Sequence, residues 1–251
     1  MQKLFILSLL LFLSIQSKAD IYNIKELGAD VTGRQKCTTI INDAIQKAFV
    51  AGGGTIYFPA GTYHTAAISM KSNITLHVEA GATLLFSTDF EDYLPFMKVR
   101  WEGVFMNTFA PLINARNADN IAIVGRGTLD GQGQKWWNEA LPFISETRKI
   151  GTITRKNQLQ LMWENANKDI VVEDYYKPTM ERRFFRPPFI QFLECDNILI
   201  EGVTIKNSPF WTINPEGCNN LVVHGVTIDN PSSNPKGPNT DGINPSSCKN
   251  V

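Results

Sequence analysis

The chain of 251 residues carries 24 basic and 24 acidic residues, 43% hydrophobic residues and four cysteines. This balance excludes a protein held to nucleic acid by a basic surface, and a polyanionic ligand would have to be met by local basic groups. Cys37, Cys195, Cys218 and Cys248 form no C-x-x-C pair and the three histidines are scattered, so neither a metal site nor a cofactor is expected.

Met1-Gln2-Lys3 gives a basic start, Leu4 to Leu13 a short apolar run, and Ser17-Lys18-Ala19 a small-residue cleavage site before Asp20. This pattern predicts a signal peptide over 1–19, with an N-terminal anchor as the alternative. Cleavage removes Lys3 and Lys18 and leaves 22 basic against 24 acidic residues. No later run is long and apolar enough to cross a bilayer. The expectation is a secreted or periplasmic monomer with no stable membrane insertion.

Residues 20–34 read as a strand and a turn. Thr38 to Val50 reads as an amphipathic helix, capped by Thr38 or Thr39, with Ile41, Ala44, Ile45, Ala48 and Phe49 on one face. Ala51-Gly52-Gly53-Gly54 ends it. One apolar-faced helix ahead of a run of strands suits a cap over the first of them. Strand patterns follow at Thr55–Tyr63, Ile68–Met70, Ile74–Val78 and Ala80–Phe86.

From here a unit repeats. Asn73, Asn120, Asn197 and Asn220 are each followed by an apolar residue (Ile74, Ile121, Ile198, Leu221) and another two places on (Leu76, Ile123, Ile200, Val223). The alternation puts these inside and His77, Val124, Glu201 and His224 outside. Gly125, Gly202 and Gly225 then mark a bend. One strand pattern per period, rich in β-branched residues, predicts an all-β fold, a parallel β-helix with an N-terminal capping helix. Stacked turns would align Cys195, Cys218 and Cys248 in one ladder, as small buried residues rather than disulfides, and the asparagines in a second.

Residues 132–186 break the repeat. They hold Trp136, Trp137, Trp163, Tyr175, Tyr176, Phe184 and Phe185 with Arg148, Lys149, Arg155, Lys156, Arg182, Arg183 and Arg186. The stretch reads as a long loop insertion over one side of a cleft, or as a decoration shielding the wall. The strands resume at Pro188–Phe192. Val251 is the second residue of a fresh strand pattern, so the helix is expected to be truncated before its C-terminal rungs.

The spacing grows from 23 residues (Asn197 to Asn220) to 30 (Asn220 to Asn250). The added residues carry Asn239-Thr240-Asp241-Gly242, with Asp241 on a turn beside the sheet. This segment, with Asn207-Ser208-Pro209-Phe210-Trp211 before it and Ser247-Cys248-Lys249-Asn250-Val251 after it, resembles glycoside hydrolase family 28, the polygalacturonases. Gly127 to Gly133 with Trp136-Trp137, and Arg186 to Gln191, are also similar to bacterial members. Gly52 to Tyr63 resembles the pectin-lyase-type opening of many β-helix proteins.

The resemblance implies a right-handed parallel β-helix that hydrolyses α-linked galacturonan with inversion, its partner a pectic polysaccharide or oligogalacturonide. It implies a catalytic Asp241. The family's Asp-Asp, Gly-His-Gly and Arg-Ile-Lys segments have no counterpart in this sequence. Substrate-binding candidates are Asn239, which could orient Asp241 or bind sugar hydroxyls; Asn207; Trp211, for stacking or for packing; and Arg186, for a uronate carboxylate or as a charged loop edge. Lys206 is a weaker candidate. Asn214 stands where relatives often have His, and His64, His77 and His224 are assigned to packing or solvent. A Ca-dependent pectate lyase and a non-catalytic glycan-binding solenoid are the alternatives on the same fold.

Overall fold

The computed structural model describes residues 20–150, 158–171, 186–231 and 237–251. The expected signal peptide lies outside them, as do Tyr175, Tyr176, Phe184, Phe185, Arg155, Lys156, Arg182 and Arg183 of the insertion and the side chains of Arg148 and Lys149.

The chain forms a right-handed parallel β-helix with three walls of hydrogen-bonded strands. The first wall stacks Asp20–Asn23, Gly54–Phe58, Ile74–Val78, Asp119–Gly125, Asp196–Glu201 and Asn219–His224. The second stacks Thr32–Lys36, Gly61–Thr65, Ala82–Phe86, Thr128–Asp130, Thr204–Lys206 and Thr227–Asp229. The third holds Ile68–Ser69, Ile113–Arg116, Ile190–Leu193 and Ile213–Glu216. A full turn visits the third wall, then the first, then the second.

The alternation read from the sequence is what buries the core. Ile198 and Ile200 face inward and pair with Leu221 and Val223 of the next turn, while Glu201 pairs with His224 outside. In the second wall one inward column runs Tyr63, Leu84, Leu129, Ile205 and Ile228. Burial of such columns drives the coil to close, because an isolated turn cannot cover its own apolar face.

The corner between third and first walls carries both expected ladders. Asn73, Asn120, Asn197, Asn220 and Asn250 all have φ between 53° and 62°. Each amide donates to the preceding one, Asn120 to Asn73 at 3.0 Å, Asn197 to Asn120 at 3.3 Å, Asn220 to Asn197 at 3.2 Å and Asn250 to Asn220 at 2.9 Å. Asparagine tolerates this left-handed conformation better than other side chains. Beside it Ala118, Cys195 and Cys218 are buried, and their carbonyls accept in turn from Asp196, Asn219 and Lys249. The cysteines are free thiols.

Helix α1, Thr38–Val50, covers the first turns with Ile41, Ala44, Ile45 and Ala48. Two details differ from the sequence reading. Cys37 is the N-cap and makes no side-chain cap bond, while Thr38 Oγ1 accepts from Ala66 N at 2.7 Å and ties the helix to the strands instead. Phe49 is 42% exposed, with the Lys71 ammonium 5.2 Å from its ring.

The insertion is not a structureless loop. It begins with helix α2, Gln134–Ile150, and contains helix α3, Gln158–Ala166. Trp136, Trp137 and Ala140 fall one helical turn apart and are all buried. Trp136 packs against Phe90 and Phe109, and Trp137 Nε1 donates to Ser208 O at 3.0 Å. The aromatic residues thus form a buried seam against the solenoid.

A second excursion, absent from the sequence reading, is an antiparallel hairpin of Met97–Trp101 and Val104–Thr108. Its turn, Glu102-Gly103, has φ of 46° and 87°, and such a two-residue positive-φ turn between alternating strands is a hairpin signal. Asn167, just after α3, binds Asn107 N and O, both at 2.7 Å, and so fastens the hairpin.

The glycine corners give a test. A Cβ on Gly125, at φ 119°, would lie 2.0 Å from Val78 O, whereas one on Gly225, at φ 61°, would meet nothing within 4 Å. Gly125→Ala is expected to lower stability by about 3 kcal/mol or more, combining left-handed strain with a backbone clash. Gly225→Ala should cost about 1–2 kcal/mol from strain alone. Urea denaturation of the two variants checks the difference.

Candidate active site

Asp241 and Gly242 deliver the chain into a further third-wall turn. Thr212 N donates to Asp241 O at 2.9 Å and Ile213 N to Gly242 O at 3.1 Å, after which Ile213 pairs with Ile243 and Glu216 with Ser246. The same register sets Trp211 level with Asp241. Asp241 keeps an exposed side chain at this edge.

The loop that presents it is fixed from below. Asn230 Nδ2 donates to Thr240 O at 3.0 Å and to Thr212 Oγ1 at 2.9 Å, and its Oδ1 accepts from Ser208 N at 2.8 Å. Thr240 Oγ1 donates to Gly237 O at 3.0 Å. Gly237 fits against Trp137 so closely that a Cβ would lie 2.8 Å from the indole. Helix α2 therefore backs the catalytic candidate directly.

Arg186 takes a different role from the one read in the sequence. It is 2% exposed, its guanidinium 4.9 Å from the Phe210 ring. Nη1 donates to the carbonyls of Pro209 (3.0 Å) and Pro238, and Nη2 to Asn239 Oδ1 at 2.9 Å. A buried fork engaged in this way cannot also grip a uronate; it clamps two loops together and orients Asn239, whose φ is 57°. Asn207 also differs. It closes the end of the second wall at φ 53°, its amide bonded to Asp130 Oδ1 at 2.9 Å and Gln134 Nε2 at 3.3 Å. Lys206 pairs with the same Asp130 at 3.4 Å. Trp211 is half-buried and stacks on Phe210, centroids 4.7 Å apart at 24°, with Phe210 in turn stacked on Trp101. His77 packs edge-on against Tyr57, and His224 lies 3.5 Å from Glu201.

The outer face of the third wall beside Asp241 is lined with amides. Gln191 Nε2 donates to Asn214 Oδ1 at 2.7 Å, and Asn214 Nδ2 to Asn244 O at 3.0 Å and Glu216 Oε1 at 3.1 Å. Outward side chains of a solenoid wall are ordinarily wet, yet Asn114, Gln191, Asn214 and Glu216 are buried. The hairpin covers them: Arg100 O accepts from Gln191 at 2.7 Å, and Arg100 Nη1 lies 3.3 Å from Glu216 Oε2. Burial pushes the Glu216 carboxyl up from its ordinary pKa, opposed by hydrogen bonds from Asn214 and Ser246 and by the Arg100 charge. Asn214 and Glu216 were not singled out in the sequence as site residues. Their signal was the outward i, i+2 positions of Ile213–Glu216, the strand that leads the register into Asp241.

An exposed carboxylate at the edge of this wall can activate water, while the buried amides hold the wall and the hairpin together. Residues 21–93 match the family described as rhamnogalacturonase A/epimerase, pectate lyase-like. Residues 178–251, which hold Arg186, Asn239 and Asp241, match glycosyl hydrolases family 28. A probable polygalacturonase of Vitis vinifera is 28% identical over 98% of this chain and 44% of its own length. An exo-poly-alpha-D-galacturonosidase of Dickeya chrysanthemi is 39% identical over 46% of this chain and 20% of its own. The crystal structure of an exopolygalacturonase from Thermotoga maritima superposes with a TM-score of 0.71 at 35% identity, over 91% of this chain and 50% of that one. The chain is thus similar to polygalacturonases along most of its length, and to glycosyl hydrolases family 28 over residues 178–251. The chain spans half or less of the length of each of these relatives.

Arg186→Ala and Arg186→Lys both leave buried carbonyls without their fork. Each is expected to destabilise the protein by about 3 kcal/mol, since hydrogen bonds to a buried charge are lost together. A lower denaturation midpoint for both, with no rescue by lysine, is the predicted result.

Proposed function

We propose that the protein is a secreted hydrolase of α-linked galacturonan, the backbone of pectin, and that Asp241 belongs to the base that positions and activates water. The observation that carries the reading is the exposed Asp241 carboxylate, held at the entry to a third-wall turn by a buried Arg186–Asn239 clamp, within the segment that matches glycosyl hydrolases family 28. The names of the relatives favour a polygalacturonate substrate. Export is favoured by the leader pattern of residues 1–19; among the described residues no helix is long and apolar enough to cross a membrane.

Inversion requires a carboxylic acid to protonate the leaving oxygen and a carboxylate to drive water onto the opposite face of the sugar. In the family pattern the acid comes from an Asp-Asp pair on the turn stacked next to Asp241, one strand spacing away. Carboxylates brought that close resist ionising together, so one stays protonated near neutrality. Asp241, exposed at the edge of the wall, is then assigned the part of the base that positions water.

The hairpin favours attack from chain ends. By covering Gln191, Asn214 and Glu216 it closes the wall on one side of Asp241, and a groove closed at one side accepts an end more readily than the middle of a polymer.

Asp241→Asn in the full-length protein is expected to lower kcat on polygalacturonate by about 10²- to 10⁴-fold, the usual worth of a general base, with oligogalacturonide binding retained. Reducing-sugar release and calorimetry measure the two. Unchanged turnover would remove Asp241 from the mechanism, and an unsaturated, ultraviolet-absorbing product formed with Ca²⁺ would make the protein a lyase. Chromatography of early products should show mono- or digalacturonate alone; a ladder of sizes would refute attack from the ends.

A further inference from the structure

Arg100 projects from the hairpin against the third wall. Its Nε donates to Gly103 O at 3.4 Å, and Nη1 lies 3.4 Å from Ser247 Oγ and 3.3 Å from Glu216 Oε2. The Phe105 ring lies 6.0 Å from the guanidinium carbon. Among the described residues Nη2 has no hydrogen-bond partner, and the side chain is 24% exposed where that of Glu216 is 1%. The group is therefore a cation fixed on the protein side and partly exposed on the other.

The stability of the hairpin does not explain this arrangement. Taking Glu216 out of water is costly, and a buried ion pair commonly contributes no more than an apolar pair of the same volume. Covering the wall needs only the packing that Trp101 and Met106 already supply. What the pair does is set the guanidinium in one orientation, above the buried Gln191–Asn214 amides.

We propose that Arg100, anchored by Glu216 and Ser247, is a recognition residue for a substrate carboxylate, that of a uronate other than the one being cleaved. A guanidinium edge matches a carboxylate in shape and charge, and Nη2 is the part of the group that Glu216, Ser247 and Gly103 leave unengaged. Glu216 ends the strand Ile213–Glu216 and stands five residues after Trp211, which is level with Asp241. At about 3.3 Å per residue, roughly 16 Å separates the anchor from the reacting bond. Arg100 thus acts in binding and leaves the chemical step alone.

The inference rests on the polygalacturonase reading, and the test separates the two. Full-length protein carrying Asp241→Asn, which prevents turnover, is titrated calorimetrically with trigalacturonate and with its methyl ester. Adding Arg100→Ala is expected to raise Kd for the acid by about 10- to 100-fold, the loss of a charge-assisted hydrogen bond, and to change Kd for the ester by less than about threefold. Arg100→Lys, which keeps the charge without the fork, should recover part of the loss and controls for folding. Equal losses on acid and ester would make Arg100 structural, and an unchanged Kd for the acid would remove it from recognition; either overturns the proposal and leaves the hydrolase reading intact. Failure of the parent protein to bind either ligand would overturn that reading, and this proposal with it.

Discussion

The chain can coil only if every turn reverses direction at the same place, and in five successive turns that reversal is made by an asparagine with φ near 55°. The residue must enter a left-handed conformation that costs most side chains about 1–2 kcal/mol. Asparagine lowers this cost by local hydrogen bonding, and here its amide also bonds to the asparagine of the turn before. The corner is on the surface, where a single amide–amide bond is nearly matched by water. Its repetition matters for register. A slip by one residue would break the amide ladder and turn the apolar columns outward together, so the ladder and the core select the same alignment. Everything on the third wall inherits that alignment, including the level at which Asp241 faces Trp211.

The third wall then needs its loops held as firmly as its strands. Asn239 and Asp241 lie in a segment with little regular structure, and a solvated loop of that kind would sample many positions. Arg186 prevents this by joining Pro209, Pro238 and Asn239 through one buried guanidinium. Desolvating that cation is costly in itself. The cost is offset locally by three acceptors and by the Phe210 ring, and the gain is a loop placed with the precision of the solenoid rather than that of a surface turn.

Local patterns carried most of the fold. The Asn, Cys and Gly positions recur at set offsets, and each recurrence reports one corner whose conformation depends on that residue type alone. The position of the Asp241 loop at the entry to a third-wall turn was legible for the same reason, since it is the place where the spacing lengthens. The roles of Arg186 and Asn207 were not legible. What an arginine meets in the folded state depends on Pro209 and Pro238, 23 and 52 residues away, and no periodicity encodes that. The α2 helix was obscured by its own function: Trp136, Trp137 and Ala140 read as an aromatic-rich surface because the groups that bury them come from other excursions. The hairpin was legible in Glu102-Gly103 between two alternating runs, but a search for repeats passes over a segment that does not repeat.

The position of the excursions explains why the non-repeating residues gather on one wall. The turn from third wall to first is short and fixed by asparagine, and the turn from first to second is short and fixed by glycine. Residues 87–112, 131–189 and 230–242 all leave after a second-wall strand and return into a third-wall strand. That corner has no ladder to break, so length added there leaves the register of the other two untouched. Stacking then brings excursions distant in sequence to the same edge: the hairpin supplies Arg100 and Trp101, the helical insertion supplies the Trp137 backing, and the last loop supplies Asp241. A periodic scaffold with one permissive corner therefore concentrates non-repeating residues along a single line.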